Sequence, residues 1–562
     1  MGKNNTKTSA VAAPLLPLKL LFLLAPFAAG LYYEPLSAAA ALVLLGYLVW
    51  LAMRNGGLYL SKDPVLLSTA ALAVFYLLSP LWAADHGMAI LGFVKFLPLP
   101  LFAVSCAQLA AEERRELMDT LPWGGAAMTL LSALLALIPA AREYVLVSGR
   151  LGGFFQYPNT FAAYLLLGAA VLLGRESWRV RDIACLAVLL VGIALSGSRT
   201  VMVLLVLLAA ASFFLVRDKK RCAIFAAIAA AAMVGGALLS GQTDAVSAAG
   251  RALEGGAGSS TFYGRLLYYR DALPVILRHP LGLGYLGYYY LQGSFQTGVY
   301  TVMHIHNDLL QFLLDVGWIP AGLLVWAVIR CFLDKSCGLM RRLVIVLCVA
   351  HALFDFDLQF TAMDFVLLLA LQPEGGKKLR VKRAGVLGLS GLLAALCLYF
   401  GAASTLHHVD ADRSAVSLYP GYTQAWLDLL SETEDAGEME RVADEILARN
   451  DAVSLAHSAK ARAAYAAGDF GTMIEEKRKA IALAKYDLGT YLDYFDMLSV
   501  GVRLYAEAGD AASADYCRQC ALEIPELLQD VLDGTSALGW KITDRPELTL
   551  PAEYTAALDA LR

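Results

Sequence analysis

The sequence predicts an all-α fold: a polytopic bundle of about twelve to thirteen transmembrane helices, followed by an α-helical-repeat-like C-terminal domain. Three observations carry this prediction. Of the 562 residues, 58% are hydrophobic and only 17% charged, whereas an ordinary soluble domain holds about 25% charged residues. The apolar residues fall into long runs separated by short basic loops, and the mean hydropathy is +0.58. After residue 403 the composition turns polar, helix-favouring and rich in alanine. The net charge of −4 gives no basic excess that would point to nucleic acid.

Lys3 and Lys7 precede a first apolar run, Leu15–Leu31. Because further long apolar runs follow Glu34, this segment reads as a retained membrane helix rather than a cleaved signal. A crossing helix needs ~20 mainly apolar residues. The first expected spans are Leu15–Tyr33, Leu36–Met53, Pro64–Leu81, Met88–Leu109 and Leu121–Ala140. Four more are Thr160–Leu173, Ala184–Leu195, Val201–Val216 and Ala223–Leu239. The last are Leu309–Phe332, Leu343–Phe354, Ala362–Leu371 and Ala384–Gly401.

Lysine and arginine in short loops mark the cytoplasmic side. They cluster at Lys3–Lys7, Arg54–Lys62, Arg114–Arg115, Arg175–Arg181, Arg217–Arg221, Lys335–Arg342 and Lys377–Arg383. With the N-terminus inside, every cluster falls in the cytoplasm. The alternate connections then fall outside: those near Glu34 and Asp85, Arg142–Pro158, Ser196–Arg199 and the long loop 240–304. This division gives a transmembrane domain, 1–403, and an extracytoplasmic domain, 404–562. In the latter, Gly468-Asp469 and Gly509-Asp510 mark turns between helices, in tetratricopeptide-like hairpins. Seven of the nine cysteines lie in or beside apolar runs and suit small buried hydrophobes. Cys517 and Cys520 read as two positions on one helix.

Three polar features converge on the expected outer side. Arg199 stands at the outer boundary of the span Val201–Val216. Tyr263–Leu273 carries Arg265 and Arg270 on an amphipathic pattern that suits a helix lying on the membrane. His304-Ile305-His306-Asn307 directly precedes an apolar run. Ionisable groups at the mouth of a membrane helix cost free energy unless used or paired, and histidine is the side chain best suited to move a proton near neutral pH. Taken singly, each has a structural alternative: a snorkelling arginine, a lipid-phosphate contact, a helix cap. Together they place guanidinium groups, whose fork fits phosphate oxygens, beside an imidazole.

Outside the cytoplasm there is no supply of ATP or nucleotide sugars, so a transfer reaction there needs a donor activated inside, such as a lipid-linked diphosphate. The motifs Gly153-Phe154-Phe155-Gln156-Tyr157-Pro158-Asn159-Thr160-Phe161, Ser198-Arg199, Gly264-Arg265, His279-Pro280-Leu281-Gly282, His306-Asn307 and Gly317 resemble the O-antigen ligase and Wzy-type polymerase superfamily. The resemblance spans Gly152 to about Leu371. It implies that Arg199 and Arg265 hold the diphosphate of an undecaprenyl-linked glycan and that His306 activates or positions the acceptor hydroxyl. It also implies no metal and no cofactor, and a multi-pass protein of a bacterial cytoplasmic (inner) membrane with a cytoplasmic N-terminus. Pro320 departs from the ligase pattern and shifts the expectation toward polymerase relatives.

Other features are secondary. Arg270, His304 and Asn307 stand close to the principal residues in sequence. Asp355-Phe356-Asp357 reads as a cap or an arginine partner, with a metal-binding Asp-x-Asp or a second base as the sharper alternative. His304 and His306 lack the Cys or Glu set of a zinc site. Gly255-Gly256-Ala257-Gly258 lacks the Gly-Lys-Ser/Thr of a P-loop. Tyr288–Tyr290 reads as an interfacial belt, with stacking on sugar rings as the sharper alternative. The expected partners are the lipid-linked glycan, a glycan, lipid or protein acceptor, membrane lipids, and envelope-assembly partners reached through 404–562. Two alternatives remain in play: a lipid-linked oligosaccharide flippase, for which Lys95 inside a span is the pointer, and a protein O-oligosaccharyltransferase.

Overall fold

The computed structural model describes residues 13–239, 260–372 and 378–562. Lys3–Lys7, the first part of the loop 240–304 with Gly255–Gly258, and Lys377 lie outside the described residues.

A helix occupies every expected span. Among the described residues, four helices are long and apolar enough to cross a membrane: Glu34–Asn55, Pro64–Leu81, Ala89–Ala107 and Arg383–His408. Shorter apolar helices stand beside them at Leu15–Phe27, Pro158–Leu173, Arg199–Leu215, Trp318–Phe332 and Thr361–Leu371. The helices Pro158–Leu173 and Thr361–Leu371 are buried along nearly their whole length and form the centre of the bundle. The helix Arg383–His408 instead leaves Leu389, Leu392 and Leu398 exposed, as a helix facing lipid would.

The loops rich in lysine and arginine contact one another. Gly57–Ser61 pairs antiparallel with the cationic strand Lys378–Lys382, Gly57 opposite Lys382. Gln108 Nε2 donates to Tyr59 O at 2.6 Å. Arg175 reaches Asp119 at 3.1 Å and Asp182 at 2.7 Å, and Arg221 donates to the Arg175 carbonyl. The alternate connections gather separately, and there the C-terminal helices dock. Asn450 Nδ2 donates to Asp85 Oδ2 at 3.0 Å, and the Tyr419 hydroxyl to the Gly87 carbonyl at 2.8 Å.

Two expectations need correction. The run Leu309–Phe332 is two helices, Asp308–Val316 and Trp318–Phe332, broken at Gly317. The break is tertiary in origin: the segment Pro280–Gly284 packs across it. Trp318 N donates to Pro280 O and Gly284 N to Asp315 O, each at 2.9 Å. A Cβ on Gly317 would stand 2.2 Å from Pro280 O, and its φ is 78° with ψ −167°, a backbone region open essentially to glycine alone, at about 1–3 kcal/mol for other residues. Gly317→Ala is therefore expected to lower the thermal midpoint of the detergent-purified protein by several degrees. An unshifted midpoint would show that this close approach does not hold the helix pair. Secondly, Tyr288 and Tyr290 are buried in the protein rather than presented as a belt, because their short helix Gly287–Phe295 is covered on both sides.

The C-terminal region is a series of helical hairpins. Ser454–Ala466 packs on Phe470–Leu483, and Leu488–Glu507 on Ala511–Leu522. Gly468 and Gly509 both have φ 76°, the left-handed stop that glycine permits. Asp469 and Asp510 then cap the next helix, accepting from Thr472 N at 3.0 Å and Ser513 N at 3.1 Å. Cys517 and Cys520 are both buried on the helix Ala511–Leu522.

Candidate functional site

His306 sits immediately before the helix Asp308–Val316, whose N-cap is Asn307. Asn307 Oδ1 accepts from Leu310 N at 3.0 Å while its Nδ2 donates to Leu353 O at 2.8 Å. The cap thus ties the helix start to the turn that carries Asp355. The backbone of His306 is left-handed, φ 56°, an uncommon state for a residue other than glycine. It is held there from outside: the Tyr269 hydroxyl donates to His306 O at 2.6 Å. Tyr269 and Arg265 are four residues apart on the helix Ser260–Arg278 and so share a face. This is the helix the amphipathic pattern predicts, and it delivers both side chains to one place.

Asp355 is the hub. Its carboxylate accepts from Tyr157 Oη and Asn159 Nδ2, both at 2.8 Å, and from Arg265 Nη2, His306 Nδ1 and Phe356 N, each at 3.1 Å. The residue is 1% exposed. Burial alone would push its carboxyl toward the neutral form, but the His306 bond and the charges of His306 and Arg265 outweigh it and hold the group well below the usual carboxylate range.

The ionised carboxylate fixes the histidine. A carboxylate can only accept, so His306 Nδ1 must carry the proton it donates. In the neutral imidazole the lone pair then lies on Nε2, which has no hydrogen-bond partner among the described residues. That arrangement, an imidazole oriented by a buried acid with its other nitrogen open, is the arrangement of a general base. The ring rests edge-on against Phe356 at 5.0 Å. Phe356 in turn contacts Tyr157 at 4.6 Å and His304 at 5.2 Å.

The structure sorts the residues expected from sequence. His306, Arg265, Asn307 and Asp355 come together. His304 lies behind them: it is 4% exposed, its Nε2 is 3.0 Å from the Tyr32 hydroxyl, and burial, with the charge of Lys95 nearby, drives it well below the usual histidine range. His304 is therefore a neutral supporting group. Asp357 turns away from the hub, accepting from Thr160 Oγ1 at 2.7 Å and pairing with His351. Arg270 is exposed and makes no hydrogen bond or ion pair among the described residues. Arg199 is exposed at the first position of its helix and does not touch Asp355.

Four contributors have no individual role in the sequence analysis: Arg150, Tyr157, Asn159 and Tyr269. Tyr157 and Asn159 belong to the Gly153–Phe161 motif, so a signal for them existed. Arg150 sits on a hairpin of two-residue strands, Leu146–Val147 and Arg150–Leu151, and has no comparable signal.

A family model described as O-Antigen ligase matches residues 184–327, about a quarter of the chain. The matched stretch holds Arg199, Arg265, His304 and His306; Arg150, Tyr157, Asn159 and Asp355 lie outside it. No curated protein matches the chain.

Proposed function

We propose that this protein is a membrane glycan transferase of the O-antigen ligase and polymerase type, moving a glycan from a lipid-linked diphosphate to an acceptor hydroxyl. The observation that carries this is the His306–Asp355–Arg265 cluster: an oriented imidazole and a guanidinium on one carboxylate, with both His306 and Arg265 inside the stretch that resembles O-antigen ligases.

The acceptor O–H gives its proton to His306 Nε2 as its oxygen bonds to the anomeric carbon. The bond from that carbon to the diphosphate oxygen breaks, and its electron pair leaves with the diphosphate. Arg265 and Arg199 stabilise the charge growing there. Attack from the face opposite the leaving group inverts the anomeric centre. No metal enters this sequence of steps. The site opens on the extracytoplasmic surface, where a diphosphate carried by undecaprenol is the available activated donor. Residues 404–562, as a tetratricopeptide-like domain on the same side, offer a surface for envelope-assembly partners.

The test supplies the full-length protein in lipid nanodiscs with a purified undecaprenyl-diphosphate-linked glycan. Longer glycan, glycosylated lipid or glycosylated protein would identify polymerase, ligase or protein glycosyltransferase activity. Movement of the lipid-linked glycan across proteoliposomes without any transfer would overturn the proposal in favour of a flippase. Lys95 has its closest polar contact at Tyr285, 3.4 Å, and lies over the Tyr32 ring. It therefore stands directly behind His304, which favours a role beneath the site over one along a separate path.

A further inference from the structure

We infer that Arg150 is a third guanidinium of the diphosphate seat, facing Arg199 across the turn Ser196–Ser198, and that Asn159 ties this seat to the frame holding His306. The inference rests on the transferase proposal and adds two residues to it.

Arg150 is placed rigidly. Its hairpin turns through Ser148 and Gly149, with φ 50° and 75°, the conformation of a tight two-residue hairpin. Its Nε donates to Ser196 O at 2.7 Å and its Nη2 to Asn159 Oδ1 at 2.9 Å. The side chain lies along Gly197, where an added Cβ would stand 3.5 Å from Nε. Two residues further on, Arg199 opens the helix Arg199–Leu215. The two arginines therefore flank a single turn.

Neither has a carboxylate within ion-pair distance among the described residues. Arg265 differs, because Asp355 offsets it at 3.1 Å. The half-buried guanidinium of Arg150 is held below the usual arginine range by burial and by Arg199, against the pull of Tyr157 and Asp355. Two neighbouring cations without a counter-ion repel, and an anion of charge −2 between them removes that cost. A diphosphate bonded to a lipid at one end and a sugar at the other carries two negative charges. It gains a third when the glycosidic bond breaks, which is where a fixed pair of guanidinium groups acts. The backbone N–H groups opening the helix at Arg199 add to the same field. Beside them the Ser198 hydroxyl, 1% exposed, has no hydrogen-bond partner among the described residues.

Asn159 links the two halves. Arginine can only donate and a carboxylate only accept, so its orientation is determined: Oδ1 toward Arg150, Nδ2 toward Asp355 at 2.8 Å and the Tyr157 oxygen at 3.2 Å. Asn159 touches no reacting atom; it is a positioning residue.

The experiment uses the full-length protein in nanodiscs and farnesyl diphosphate as the binding probe, alongside donor KM and kcat for glycan transfer. Arg150→Gln is expected to raise the farnesyl diphosphate dissociation constant by about tenfold or more, the scale of one charge-assisted contact, and to raise the donor KM. Arg150→Lys is expected to recover only part of this, since an ammonium cannot reach Ser196 O and Asn159 while presenting a planar face to phosphate. Asn159→Ala is expected to raise KM and lower kcat together, whereas a purely structural role would lower only the yield of folded protein. Wild-type affinity for farnesyl diphosphate in folded Arg150→Gln overturns the inference while leaving transfer intact as an activity. Arg150-dependent binding in a wild-type protein that transfers no glycan overturns the transferase proposal and leaves the seat standing.

Discussion

His306→Ala is expected to leave a folded membrane protein without measurable glycan transfer. Removing a positioned general base costs typically ~10²–10⁴-fold in rate, and here nothing else stands ready to replace it. His304 is two residues away but is buried, neutral and bonded to Tyr32. The fold should survive because the His306 side chain is 22% exposed and the local backbone is held by Tyr269 and the Asn307 cap. The left-handed φ of position 306 calls for a control: asparagine tolerates that conformation better than alanine, so His306→Asn should keep a higher thermal midpoint than His306→Ala while remaining inactive. Arg265→Ala is expected to abolish transfer as well, by removing a cation from both the leaving group and Asp355. Turnover at the wild-type rate by a position-306 variant would remove the imidazole from the mechanism, and the same result for Arg265→Ala would remove the guanidinium.

The bundle was legible because its signals are local. Long apolar runs, basic loops and the Gly-Asp stops each occupy a few consecutive residues, and a helix appears wherever such a run stands. The break at Gly317 was not legible: one glycine in a helix costs only about 1 kcal/mol, and what decides is the Pro280–Gly284 segment lying across it. The hub was hidden for a similar reason. Asp355 is 49 residues from His306, 90 from Arg265 and 196 from Asn159, and no periodicity reports contacts at that separation. From sequence, Asp355 and Asp357 are equivalent members of an Asp-x-Asp. In the fold the turn sends one to His306 and Arg265 and the other to Thr160 and His351. Arg150 shows the limit most plainly, since strands of two residues leave no alternation to read.

Asp355→Asn is expected to be the most damaging conservative change in the protein, for two separable reasons. The carboxylate accepts from five donors; an amide of the same shape offers one oxygen and turns an N–H toward the rest. Arg265 also loses its only described carboxylate partner, and removing one member of a buried pair costs about 3–5 kcal/mol. Catalytically, an amide nitrogen facing His306 Nδ1 favours the tautomer with the proton on Nε2, which then cannot take the acceptor's proton. The corresponding change in a serine-protease triad costs about 10⁴-fold in kcat, and a loss of about 10³-fold or more is expected here. The pH dependence separates the two effects. Because the folded-state pKa of Asp355 is depressed, its contribution to stability is fully present above the ordinary carboxylate value of ~3.9 and is lost only as pH falls through the lower folded value. The part of the deficit in thermal midpoint of Asp355→Asn that comes from the lost carboxylate should therefore persist through mildly acidic pH and narrow only under strongly acidic conditions. A deficit that instead widens as pH falls through the ordinary carboxylate value of ~3.9 would mean that the folded protein favours the protonated acid, and the tautomer assigned to His306 would fall with it.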